Sequence, residues 1–413
     1  MKPAGDRCVE RSGRGAYPGA EGGSRMSTTA PPHLTDEHRP DLDWLRVVAI
    51  LLLHLFHTGM MFNTWDWHVK SAQALPWLEP PMEVLHHLRM PLLMCISGLG
   101  TAFALRRRSL GTFAGDRAKR LLGPLVFGMF VVVPPQIYLE RLQRGTFQGS
   151  YADFYPSVFG FVPYPAGSFS WHHLWFVAYL FIYCLLALPL FAALRTASGQ
   201  VWLQRAEAWL SRGWNVVWLF LPLALNEVLL RRFPQTHALL DDPRAFIHFG
   251  LFFIGGHLLG RCPRVMEHLV ARRKALLGAC GLLFAVMVPP NEYAFPLETL
   301  GRTALQWLFI LTALAWARAC IHVRRPWLRH ARERAYPFYI LHQTVIVVVG
   351  FAVVDWPVGP WGLFLAVLTL TFGLTWGLCE GVARVPWLRA CFGMPARSKR
   401  AAPIHAAAPV HTA

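Results

Sequence analysis

The sequence predicts an all-α fold, a polytopic membrane protein of about ten transmembrane helices in one bundle with both termini in the cytoplasm. Three observations carry this. Of 413 residues, 54% are hydrophobic and only 15% are charged, against roughly 45–50% and 25% in soluble domains, and the mean hydropathy is positive at +0.35. Apolar blocks of about 20 residues follow one another with short charged punctuation, the length that crosses a bilayer core of about 30 Å. Finally, the Lys and Arg side chains sort by side: 31 of the 40 fall in the tails and the loops after even-numbered spans, and 7 in the loops after odd-numbered spans. Basic residues collect on the cytoplasmic side. The same placement accounts for a formal net charge of +17 without a nucleic-acid partner.

The ten spans read 44–62, 84–105, 121–140, 172–194, 214–231, 246–261, 275–290, 300–321, 336–355 and 361–380. Prolines at 124, 134, 135, 189 and 222 sit within or at the ends of spans and predict kinks, because neighbouring helices can satisfy the freed carbonyls. Residues 1–40 are rich in Gly, Pro, Ser and Arg, without the apolar core of a signal peptide. They read as a disordered cytoplasmic tail in which Met26 opens a second candidate start. A transmembrane domain over 41–385 and a cytoplasmic tail over 386–413 complete the chain. The eight cysteines form no CxxC pair and read as small apolar residues, with neither a disulfide framework nor a metal site expected.

Polar chemistry begins in the first span, Asp41-Leu-Asp43-Trp-Leu-Arg46 running on to His54 and His57. Arg46 and His57 are 11 positions apart, three helical turns, so they share a face about 16 Å apart along the axis. An Arg at mid-bilayer costs on the order of 2.5–3.5 kcal/mol, so such groups face a cavity or a partner. Spacing leaves two readings open: a reaction site, or a helix anchor at Arg46 with an interhelical hydrogen bond at His57.

These residues resemble the membrane acyltransferase 3 family, whose hallmark is an Arg, ten intervening residues and a His in the first span. Three further blocks agree: Arg89-Met-Pro-Leu-Leu-Met-Cys-Ile-Ser97-Gly98, His173-Leu-Trp-Phe176, and Tyr336-Pro-Phe-Tyr-Ile-Leu-His342-Gln. Within the family the blocks are most like a branch of succinyltransferases acting on osmoregulated periplasmic glucans. The resemblance covers 41 to about 385. It implies a bacterial inner-membrane enzyme that moves an acetyl or succinyl group from cytoplasmic acyl-CoA, its donor substrate, to a hydroxyl of an envelope glycan. No metal is implied.

A hydroxyl must lose its proton as it attacks a thioester, and a neutral imidazole suits that task; His57 is the candidate base, with Arg46 on the same helix face as catalytic partner. His54 lies outside the motif register and reads as an interhelical hydrogen bond. Arg117 and Arg120 match the family's Arg-x-x-Arg motif before the third span. At i and i+3 they share a face and can clamp CoA phosphates through planar forks; plain positive-inside topology is the alternative. His342, only some six residues into its span, is expected near Arg46 around the pantetheine, and not in a pair with His57. Arg89, near Glu83, His86 and His87, reads as an interfacial salt bridge or part of an acceptor mouth. Rings between Tyr151 and Trp171 suit an interfacial belt or a sugar surface. A transporter or flippase for a glycan or small solute could use the same intramembrane Arg and His; it would not need the Arg-x-x-Arg block.

Overall fold

The protein is described here as a computed structural model covering residues 39–287, 294–323 and 325–395. The N-terminal tail reaches the described residues only at Arg39 and Pro40; the rest of it lies outside them. Of the C-terminal tail, 386–395 is described and opens with a short helix, Pro386–Cys391. The described residues are helical, without β-strands, and one isolated bridge joins Pro163 to Phe169.

The helices are α1 Pro40–Met60, α2 Glu79–Arg106, α3 Leu110–Gln143, α4 His172–Leu186, α5 Ala197–Leu210 and α6 Val217–Leu229. There follow α7 Pro243–Arg261, α8 Pro263–Ala271, α9 Arg273–Met287, α10 Leu297–Cys320, α11 Pro326–Val353 and α12 Pro360–Arg384. Six of them (α1, α2, α3, α10, α11 and α12) are long and apolar enough to cross a membrane; α7 and α8, bent by 94° between them, form either a broken seventh span or a re-entrant loop. The chain is thus a multi-pass membrane protein.

The expected count of ten is not met among the described residues. Span 172–194 stops as a helix at Leu186, and the chain turns at Ala187 before Pro189 starts a separate short helix. A proline disfavours helix in the residue before it and donates no hydrogen bond. Span 214–231 yields the short apolar helix α6; span 275–290 yields α9, described to Met287, and its last three positions lie outside the described residues.

Local sequence explains the elements that carry the site. Pro40 occupies the first turn of α1 with Asp41 and Asp43, where missing donors and the helix dipole favour them. Lys70 closes the other end, donating from Nζ to the carbonyls of Met60 (2.7 Å), Asn63 (2.5 Å) and Trp65 (2.9 Å). In α3, the segments Ala118–Leu122 and Gly128–Val132 wind as π-helix on either side of Pro124. Pro124 cannot donate to the Arg120 carbonyl, which favours this looser winding.

The core centres on α2, the most buried of the spans. It crosses α7 backbone to backbone: a Cβ on Gly98 would collide with the Phe253 carbonyl, and one on Gly256 with the Cys95 carbonyl. Small residues permit such close helix crossings within membranes. Cys95, Cys184, Cys262 and Cys379 are buried, in line with their reading as packing residues, whereas Cys320 is exposed.

A histidine pair between two cavities

α1 and α11 start side by side, since Arg332 Nη1 of α11 reaches Asp43 Oδ2 of α1 at 3.1 Å. His57 lies 17 residues beyond Pro40 and His342 lies 16 beyond Pro326, so both sit about 25 Å along their helices. They meet: His57 Nδ1 is 2.8 Å from His342 Nε2. This overturns the expectation that the two do not pair and that His342 lies near Arg46. The reason is the length of α11. Its first ten residues include Arg329, Arg332, Glu333 and Arg334, so apolarity places the start of the span too late and His342 too shallow.

The hydrogen bonds assign the tautomers. A carbonyl oxygen can only accept, so His342 Nδ1, 2.6 Å from the Tyr339 carbonyl, carries the proton. In neutral His342 the other nitrogen, Nε2, must accept. His57 Nδ1 therefore donates, which leaves His57 Nε2 unprotonated. A backbone carbonyl thus fixes, through one imidazole, the basic nitrogen of the next.

His342 is further held by its own helix. Gln136 Nε2 donates to Thr344 Oγ1 at 2.7 Å, and Gln343 Nε2 donates to Gln136 Oε1 at 2.9 Å. His173 Nε2 donates to the Ile340 carbonyl at 2.9 Å, and Tyr339 Oη donates to the His173 carbonyl. These bonds tie α11 to α3 and α4 around positions 339–344. Buried polar networks that are satisfied in this way specify one arrangement.

His57 lines a cavity of about 270 Å³ together with Trp67, His68, Arg89, Tyr164 and His172. A larger cavity of about 450 Å³ lies toward the start of α1 and contains Arg46, Arg117, Arg120 and Arg332, with Ser97 and Tyr336. Tyr339 lines both. Arg46 accordingly groups with the arginines and not with His57. Its Nη1 stands 3.4 Å from Asp43 Oδ1, and its side chain remains about one-third exposed. Arg117 and Arg120 do share a face, as their spacing implies. Arg106 and Arg108 are engaged elsewhere, with the Gly260 carbonyl at 3.1 Å and Asp116 at 2.5 Å.

Other residues settle as follows. His54 Nε2 faces α12, 3.2 Å from Thr371 Oγ1 and 3.4 Å from the Leu368 carbonyl, the interhelical bond expected of it. Arg89 makes no salt bridge among the described residues. Its guanidinium is buried 3.5 Å above the Phe56 ring, while Glu83 faces Arg302 at 3.5 Å. Of the aromatic segment before α4, Tyr164 reaches the site, donating to Glu140 Oε1 at 2.7 Å.

Sequence reasoning missed His68, Glu140 and His172, which come from three distant segments. They are the three-residue grouping of metal-ligand type among the described residues, with donor atoms within 4.8 Å of one another. The His68 and His172 rings lie 4.8 Å apart between centroids with 25° between planes. His68 Nδ1 donates to Glu140 Oε2 at 2.5 Å, and Gln343 Nε2 lies 3.2 Å from His68 Nε2, so both ring nitrogens of His68 are engaged within the protein. His68 and His172 also line the His57 cavity.

Known proteins resemble this chain in sequence. A family model described as an acyltransferase domain, acyltransferase 3, matches residues 39–380. Among curated proteins, the glucans biosynthesis protein C of Escherichia coli SMS-3-5 is 21% identical over 371 residues, covering 85% of this chain and 93% of the relative. The protein of the same name from Escherichia coli K12 matches with the same identity and coverage. No solved structure matches the chain.

Proposed function

The chain belongs to this acyltransferase family, and from that membership we propose that it is an integral-membrane O-acyltransferase of the bacterial inner membrane. It moves an acetyl or succinyl group from cytoplasmic acyl-CoA to a hydroxyl of a cell-envelope glycan. The glycan class is supported by the glucans in the relatives' name.

The observation that carries the reading is the chain Tyr339 carbonyl, His342, His57, which presents an unprotonated Nε2 in a cavity backing onto a cationic one. In the Arg46, Arg117 and Arg120 cavity, planar guanidinium forks suit the CoA phosphates. The pantetheine and thioester extend from there toward Tyr339. In the His57 cavity, the acceptor hydroxyl gives its proton to Nε2 as its oxygen bonds the thioester carbonyl carbon. The carbon–sulfur bond then breaks, and the imidazolium returns the proton to the CoA thiolate. His57 Nδ1–H stays bonded to His342 throughout, so the ring neither turns nor changes tautomer as charge develops.

The test uses the full chain reconstituted with labelled acyl-CoA and a soluble glucan. The expected result is label in ester linkage to glucan hydroxyls, lost in His57→Ala. Absence of transfer from acetyl-CoA and succinyl-CoA, with solute counterflow in their absence, would replace this reading with a transporter.

A further inference from the structure

A third cavity of about 410 Å³ adjoins the His57 cavity, and the two share Arg89, Met90 and Trp175 in their walls. α2, α4, α6, α7 and α10 enclose it, with the loop before α7. Its size falls in the range of small-molecule sites, about 300–1,000 Å³. Its lining is unusually polar for a space between apolar helices, where unpaired polar groups are costly.

Part of that polarity is internally satisfied. Glu227 is held by Arg244 at 2.6 Å and lies 3.0 Å from His248, so it serves as a finished wall. Apart from His248 Nδ1, which faces Glu227, two groups are not satisfied. Among the described residues, Gln306 Oε1 and the Nε and Nη1 atoms of Arg89 are buried without hydrogen-bond partners, on side chains of residues that are each 8% exposed. One is an acceptor and the other a set of donors. Near them Thr303 Oγ1 donates to the Thr299 carbonyl at 2.8 Å and keeps a lone pair to accept. His237, in the loop, is kept neutral because burial pushes its imidazole down to about 4.

A single-sign ligand would leave half of these groups unpaired. An anion would meet the Gln306 carbonyl oxygen, and a cation would meet Arg89. A hydroxyl both donates and accepts, so a ligand bearing several of them satisfies the mixed set. We propose that this third cavity is the acceptor subsite, holding a sugar unit of a polyhydroxylated acceptor against Gln306 and Arg89 and directing one of its hydroxyls past Arg89 to His57. The assignment rests on the acyltransferase reading for the acceptor's role, but its ligand chemistry stands on the cavity itself.

The experiment measures binding of a soluble gluco-oligosaccharide to the detergent-solubilised full chain by calorimetry, together with transfer kinetics. Gln306→Leu removes the acceptor while nearly keeping the volume. It is expected to raise the oligosaccharide Kd and the acceptor KM about tenfold, because buried polar groups then lose their partner, while kcat and the donor KM change less than twofold. Thr303→Val gives the same split more weakly and serves if the first variant does not insert. Wild-type acceptor affinity in both inserted variants overturns the subsite, as does absence of oligosaccharide binding by the wild type. Oligosaccharide binding that weakens in the variants, in a protein that transfers no acyl group, upholds the subsite and overturns the acyltransferase reading.

Discussion

At the scale of single residues, the site turns on which nitrogen of His57 is free. General-base assistance contributes about 10²–10⁴ in rate, so His57→Ala is expected to remove detectable acylation at matched protein levels with acyl-CoA binding nearly unchanged. His54→Ala, whose ring is spent on Thr371 and the Leu368 carbonyl, should be far milder; the reverse order would move the base to His54. His342 touches neither substrate and acts as a positioning residue. His342→Ala frees the His57 tautomer and is expected to lower kcat about 10²-fold and displace its pH profile, with KM little changed. An unshifted profile would reduce His342 to packing. His57 was legible as a polar residue deep in an apolar span, and His342 as one nearer the start of its own. Their pairing was not, because the charged start of α11 hid how far His342 lies along its helix.

At the scale of elements, α3 brings Arg117 and Arg120 to one cavity through a π-helical winding around Pro124. Replacing both with Gln should raise the apparent KM for acyl-CoA by at least about tenfold without loss of insertion, and Lys should restore only part, since it lacks the fork. Unchanged donor kinetics would leave these residues to topology alone. The α2–α7 crossing explains a different part of the sequence. Gly98 of the Ser97-Gly98 block is required by the backbone of α7, so Gly98→Ala should cost about 1–3 kcal/mol or more by overpacking, read as a lower unfolding midpoint in detergent. The loop before α7 carries a pH effect. His237 is neutral when folded down to about 4, against about 6.5 in an unfolded chain. Between those values the unfolded chain binds the extra proton, so stability falls as pH drops from about 6.5 toward 4. His237→Asn, which tolerates the positive φ there, should flatten that decline in the unfolding midpoint relative to wild type.

At the scale of the whole molecule, two cavities back onto Tyr339, one cationic and one lined by His57. Such a layout suits a donor and an acceptor that arrive from opposite sides of a bilayer. The charge sorting predicts which side is which: a reporter fused after residue 395 should read cytoplasmic, and one inserted near residue 155 should read external. The opposite result at either place would reverse or break the proposed sidedness while leaving the histidine pair intact.

The sequence by itself determined the helical membrane class, the position of His57 in α1, and the Arg117–Arg120 pair, because these depend on hydropathy and on spacing within one element. Only the tertiary structure decided that His342 meets His57, that Arg46 belongs with the arginine cavity, and that His68, Glu140 and His172 come together. It also decided that apolar stretches of 172–194 and 214–231 fold as short helices. The physical reason is common to all of these. Hydropathy measures where a helix is apolar, not where its hydrogen bonds begin and end, and contacts between distant elements follow from those true ends, from proline breaks, and from glycine crossings that local pattern does not register.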